Sequence, residues 1–278
     1  MDLGSIFGKS WKEYWDNLGS FFKFMLIFLG IPSFIFALAS MIYLLSNSDL
    51  IALMTDPLLS SELSLGEFLA SFGPYFALMG VIGIITLFLT LFVVKGIIGA
   101  SLKSEKYSYS GLTNFAKGRY WKFVGFAVVY MIFLVLLTIL LIVPGIIFGV
   151  FWSLSAYIFL NENKSITQSL RRSKELIRGR WWRTLGYLIV IGIVGAGISF
   201  IISLVNLPFS VMSAVYFTNN GMISPSLFVL NSLTSWLANF VASVFTIPFS
   251  ILFFKNYYLG LTCGLKSEKQ TISKRKFK

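Results

Sequence analysis

The chain has 278 residues, 56% of them hydrophobic and 12% charged, with a mean hydropathy of +0.81; a soluble domain carries roughly 25% charged residues, so a water-soluble globule is excluded. With no His and a single Cys, Cys263, the sequence also excludes imidazole metal sites, His-based triads and an internal disulfide. The net charge of +12 does not point to nucleic acid, because the Lys and Arg residues punctuate apolar runs of membrane-spanning length and so read as an orientation signal.

Residues 1–20 are expected to form an interfacial helix. Leu3, Phe7, Trp11, Tyr14 and Leu18 share one face with Trp15 beside them, while Lys9, Lys12, Glu13 and Asp16 crowd the other. No signal peptide is expected, since the first apolar run far exceeds a signal h-region. A helix needs about 20 apolar residues to cross a bilayer core, and six runs qualify or come close. The first spans 21–45, with Lys23 near its start, and the second 75–101, with Lys95 near its end. Runs 123–143 and 146–160 are parted by Pro144-Gly145, a breaker pair that predicts a hairpin. The fifth is 184–206 and the sixth 227–254, interrupted by Pro248, with apolar character continuing to Leu265 before a basic cytoplasmic tail at 266–278. The expected fold is a single all-α integral membrane domain with six transmembrane helices.

The connection 46–74 holds Asp49, Asp56, Glu62 and Glu67 and no Lys or Arg, and 207–226 is an uncharged loop. All 23 basic residues fall in the N-terminal segment, in 102–122, in 161–183, in the tail, or at adjoining helix ends. The positive-inside rule makes those segments cytoplasmic and places both termini inside the cell membrane.

A pattern of two aromatics, two variable residues, an aliphatic and Gly recurs three times. It reads Tyr14-Trp15-Asp16-Asn17-Leu18-Gly19, Tyr120-Trp121-Lys122-Phe123-Val124-Gly125 and Trp181-Trp182-Arg183-Thr184-Leu185-Gly186, each copy before an odd-numbered span. This internal repeat predicts three pseudo-repeated helix pairs, each entered from the cytoplasm. Before the third copy, Ser165 and Gln168 fit a capping box, and Ile166, Leu170, Ile177 and Trp181 face away from Arg171, Arg172, Lys174, Arg178 and Arg180. Leu112, Phe115 and Ala116 mark a weaker amphipathic helix before the second. The aromatics read as an interfacial belt and the cations as topology anchors. Arg178, Arg180 and Arg183, beside Trp181 and Trp182, also suit anionic lipid headgroups, because guanidinium pairs bidentately with phosphate; Arg119 and Lys122 are their counterparts in the second copy.

Within the spans, Lys23, Lys95 and Lys255 sit near helix ends, where long side chains are expected to snorkel to water. Two uncharged polar stripes are expected to face inward. Asn231, Ser235, Asn239 and Ser243 recur every four residues in the sixth span, and Gly192, Ala196, Ser199, Ser203 and Asn206 trace a face of the fifth. Such a seam serves helix packing or a polar pathway.

The stretch Ile142-Val143-Pro144-Gly145-Ile146-Ile147, then Leu160 and Glu162, then Ser169-Leu170-Arg171-Arg172-Ser173 and Arg178-Gly179-Arg180-Trp181-Trp182-Arg183 resembles the membrane domain attached to some glycerophosphodiester phosphodiesterases. Related uncharacterised prokaryotic six-helix membrane proteins share that plan. The resemblance is clearest over 140–186 and implies a six-helix membrane fold. The family's catalytic barrel depends on His and metal-binding carboxylates and has no counterpart here, so no catalytic residue carries over. The reading is a non-enzymatic membrane module without cofactor or metal, engaging anionic lipid or a membrane-protein partner. The alternative is a permease or exporter subunit for a small amphiphile, using the seam between spans five and six.

Overall fold

The computed structural model describes residues 2–47, 50, 53, 63–103, 106–220 and 224–276. Asp49, Asp56 and Glu62 of the acidic connection lie outside them. In chain order the helices are α1 (Leu3–Asp16), α2 (Leu18–Met25), a π-helical turn (Leu26–Gly30), α3 (Ile31–Ser46), α4 (Leu65–Ser101), α5 (Tyr109–Lys117) and α6 (Tyr120–Leu140). There follow α7 (Ile142–Trp152), α8 (Ser155–Glu162), α9 (Ile166–Ile177), α10 (Trp181–Ser203), α11 (Leu207–Asn220) and α12 (Pro225–Lys276). No strand occurs among the described residues. Among the described residues, six stretches are long and apolar enough to cross a membrane: Leu18–Ser46, Leu65–Ser101, Tyr120–Leu140, Ile142–Glu162, Trp181–Ser203 and Pro225–Cys263. At 1.5 Å per residue, α4 is about 55 Å long, well beyond a bilayer core of roughly 30 Å.

The chain divides into two compact units. The first comprises residues 1–24, 91–195 and 245–278, and the second 25–90 and 196–244. In the first, α12 is tied to its neighbours by hydroxyl and amide groups. Tyr157 donates to the Ile251 carbonyl at 3.0 Å, Thr184 and Tyr257 share a 2.8 Å hydrogen bond, and Tyr258 accepts from Asn161 and donates to Glu162, both at 3.1 Å. The predicted capping box of α9 is present, with Ser165 and Gln168 each satisfying the other's backbone N–H. In the second unit, Trp236 donates to Ser33 Oγ at 3.0 Å, and its ring lies 4.7 Å from that of Phe34.

Three local expectations are corrected. The reversal between the third and fourth spans falls at Leu141, whose backbone is extended, so Pro144-Gly145 lies inside the first turn of α7. Pro is tolerated there because the first helical N–H groups have no intrahelical acceptor. Gly145 is needed for packing, since a Cβ at this position would run into Thr138 of α6. Pro248 does not interrupt the sixth span; α12 continues through it, and the buried Phe249, Ile251, Leu252 and Phe253 hold the helix beyond it. The uncharged connection 207–226 contains α11, with Pro208 in its first turn. Its 14 residues extend only about 21 Å, too short to cross.

Candidate functional site

The chemistry of the first unit is concentrated where the short helices α1, α5 and α9 give way to the membrane-length stretches that start at Leu18, Tyr120 and Trp181. Each junction is a sharp break. Asn17 ends α1; Gly118-Arg119 separates α5 from α6, with Arg119 in the left-handed region at φ 53°; Arg178-Gly179-Arg180 separates α9 from α10, with Gly179 at φ 82°. Beside each break, just before it in the first copy and just after it in the other two, the first ring of the aromatic pair turns inward and the second outward. Tyr14 is buried and Tyr120 and Trp181 half-buried, while Trp15, Trp121 and Trp182 are 45%, 73% and 79% exposed.

The face of α1 that enters the core runs Ile6, Ser10, Glu13, Tyr14 and Asn17, at spacings that place them on one side of a helix. This corrects the expected polar side, which included Glu13. The carboxylate is not solvated: Oε1 accepts from Lys255 Nζ and from the Tyr107 hydroxyl, and Oε2 accepts from Asn256 Nδ2 at 3.2 Å. Asn256 also donates to Ser10 Oγ at 2.9 Å, and Asn17 Oδ1 accepts from the Tyr107 backbone N–H at 2.8 Å. Burial also raises the Tyr14 phenol well above its ordinary range. The snorkelling expected of Lys255 and Lys95 is likewise corrected. Lys255 is buried against Glu13, and Lys95 is buried with its Nζ donating to the Phe115, Ala116 and Gly118 carbonyls at the end of α5. Three carbonyls left open by a helix terminus provide a better ligand set than a long detour to water. Only Lys23 is exposed as expected.

Two clefts open beside this core. One, of about 1250 Å³, is lined by Lys9, Lys12, Lys23 and Lys106 together with the carboxylates of Glu13 and Asp16. The other, of about 850 Å³, is lined by Lys95, Lys103, Arg119, Lys122 and Lys164 and, among the described residues, by no Asp or Glu. It sits where the carboxyl ends of α4 and α8 meet the amino ends of α6 and α9. Arg119 Nη1 donates to Asn163 Oδ1 at 3.4 Å, and Asn163 is also left-handed, at φ 51°.

The residues singled out for lipid headgroups divide between two places. Arg119 and Lys122 line the carboxylate-free cleft; Arg178, Arg180, Trp181, Trp182 and Arg183 do not. Arg178 and Arg180 are exposed at the α9–α10 break, Trp181 Nε1 donates to the Ile147 carbonyl at 3.3 Å, and Arg183 lies over the Tyr187 ring with its Nε donating to that hydroxyl at 2.7 Å. Lys103, Asn163 and Lys164 were not singled out. Their signal was cation density in the two basic connections, which does not reveal that those connections converge.

The polar seam of the second unit holds only over part of its length. Asn206 donates to Ser235 Oγ at 2.7 Å and accepts from Thr234, and Ser210 donates to Asn231 Oδ1 at 3.0 Å. Elsewhere the stripes do not meet. Ser199 and Ser203 are exposed, and Ser203 bonds to its own helix at the Phe200 carbonyl. Asn239 is exposed and donates to the Ser235 carbonyl, and Ser243 donates to the Asn239 carbonyl. Hydroxyl and amide groups on an apolar helix can satisfy themselves four residues back without a cross-helix partner, so regular spacing alone did not identify a seam.

Compared with protein-family models, curated proteins and solved structures, the chain has no match.

Proposed function

We propose that the chain is a non-catalytic cell-membrane module with both termini in the cytoplasm, which holds anionic lipid through cations gathered at the cytoplasmic ends of its helices. The observation that carries this reading is the cleft lined by five cations and, among the described residues, no carboxylate, set at the ends of membrane-length helices. A basic pocket between span ends suits a phosphate-bearing headgroup. The outward Trp15, Trp121 and Trp182 support interfacial placement of α1, α5 and α9, because amphipathic rings settle at headgroup depth. The threefold recurrence of a short helix, a break and a membrane-length stretch supports a plan of three pseudo-repeated pairs and a kinship with the membrane domain resembled over 140–186. A membrane-protein partner is compatible with the same face. The permease alternative draws less support, since Asn206, Asn231 and Ser235 are bonded within one side-chain cluster, as a packing role requires.

The test is lipid analysis of the protein purified in mild detergent. Selective retention of anionic over zwitterionic lipid is expected, and replacing the exposed Arg178 and Arg180 together with Arg183 by Gln, none of which lines the cleft, is expected to lower it only in part. Retention without headgroup preference would refute the reading.

A further inference from the structure

We propose that the carboxylate-free cleft is a specific binding site for a phosphate group, with Arg119 and Lys122 as its direct ligands. This rests on the lipid reading only for the source of the phosphate; the site itself follows from the arrangement of charge.

The cations lining the cleft have different tasks. Lys95 is committed to three backbone carbonyls, and Lys164 is paired with Glu162 at 2.6 Å. Both shape the cleft and are not ligands. Lys103 lies 5.2 Å from the centre of the Phe115 ring, where it adds positive potential at the wall. Arg119 gives one N–H to Asn163, out of a guanidinium that carries five in a planar fork. Lys122 is exposed and lies one helical turn further along the face of α6. The pair combines the bidentate geometry that suits two phosphate oxygens with a mobile point charge for a third.

The neighbouring cleft sharpens the assignment. It has four lysines, but Asp16 lines it too, beside a Glu13 whose charge is already met by Lys255, and the Asp16 carboxylate repels the anion that the lysines attract. Of the two clefts, the one with Arg119 has no Asp or Glu among its described lining residues, and the nearby Glu162 is already paired with Lys164. A phosphate fills a small part of about 850 Å³, and the remaining wall includes Phe159, Leu160 and Ile166. The ligand is therefore a phosphate attached to a larger, partly apolar body: a lipid headgroup, or a soluble organic phosphate that uses the same corner.

The test uses the full chain in nonionic detergent with three probes: dihexanoyl phosphatidic acid, glycerol 3-phosphate and inorganic phosphate. Arg119→Asn combined with Lys122→Gln removes both proposed ligands, and Asn tolerates the left-handed backbone at 119, so the variant is expected to unfold at or above the wild-type temperature. Its affinity for dihexanoyl phosphatidic acid should fall by about tenfold or more, the scale of losing charge-assisted hydrogen bonds. Lys12→Gln combined with Lys23→Gln removes the same charge from the other cleft and should leave affinity within about twofold. Tighter binding of phosphatidic acid than of either soluble probe assigns the site to lipid. Equal or tighter binding of glycerol 3-phosphate keeps the site and assigns it to a soluble phosphate, which overturns the lipid reading alone. Wild-type affinity in the Arg119→Asn, Lys122→Gln protein overturns the site, even where the wild type retains anionic lipid by other residues. An equal loss in the Lys12→Gln, Lys23→Gln control also overturns it, because the effect is then one of net charge.

Discussion

Lys255 of α12 is ion-paired with Glu13 of α1, although 242 positions separate them in sequence and their side chains are only 1% and 5% exposed. A buried pair gains little net stability, because desolvation offsets the Coulomb attraction, but removing one partner strands the other. Glu13→Gln or Lys255→Met alone is therefore expected to destabilise the protein by about 3 to 5 kcal/mol. The double change should recover a large part of that loss. Thermal unfolding of the four proteins in one detergent measures the coupling, and strictly additive losses would exclude a buried pair.

Topology is accessible to single cysteines in a Cys263→Ser background. Ser64 and Asn219 are exposed and should react with an impermeant maleimide in intact cells. Arg171, whose side chain is 84% exposed on α9, should react as Cys only after the membrane is opened. Ser169 would be a poor reporter because it is fully buried. Labelling of position 171 in intact cells would invert the orientation.

The seam predicts opposite outcomes for two asparagines. Asn206→Leu removes the partner of Ser235 and Thr234 and is expected to cost about 1 to 3 kcal/mol, the range for leaving half-buried polar groups unpaired. Asn239→Leu loses only a bond to its own helix at an exposed position and should cost less than about 0.5 kcal/mol. Unfolding midpoints compare the two directly, and a larger loss at Asn239 would restore the full-length seam.

Two glycines give a packing contrast. A Cβ on Gly96 would lie 2.8 Å from Phe24 Cζ and 2.9 Å from the Leu112 carbonyl oxygen, and the second of these is backbone that cannot rotate away. Gly96→Ala should destabilise by about 1 to 3 kcal/mol. A Cβ on Gly192 meets nothing within 4 Å, so Gly192→Ala should stabilise by about 0.5 to 1 kcal/mol through reduced unfolded-chain entropy. Equal effects at the two sites would contradict the packing of α5 against α4.

The spans were legible because run length and hydropathy are local properties, and so was the capping box of α9, which needs only Ser165 and Gln168. What was not legible depended on remote partners. Glu13 on an amphipathic helix is indistinguishable by spacing from a solvated carboxylate until Lys255, Tyr107 and Asn256 are brought to it. Arg119 and Lys122 were identified as cations at the start of a span. Their cleft also needs Lys103 from the far end of the same connection and Lys164 from the next one, and no periodicity links those. Asn239 and Ser243 erred the other way: their spacing was regular, but the helix satisfies them internally.

The left-handed backbone at Arg119 bears on how position 119 responds to selection. A side chain with a Cβ costs roughly 1 to 2 kcal/mol there relative to Gly, and Gly118, one residue earlier, does not take up the unusual conformation. A library screened for thermostability alone should drift to Gly or Asn at 119, whereas one screened for growth should keep Arg. The gap between the two outcomes would measure how much stability the organism gives up to keep a guanidinium at that corner.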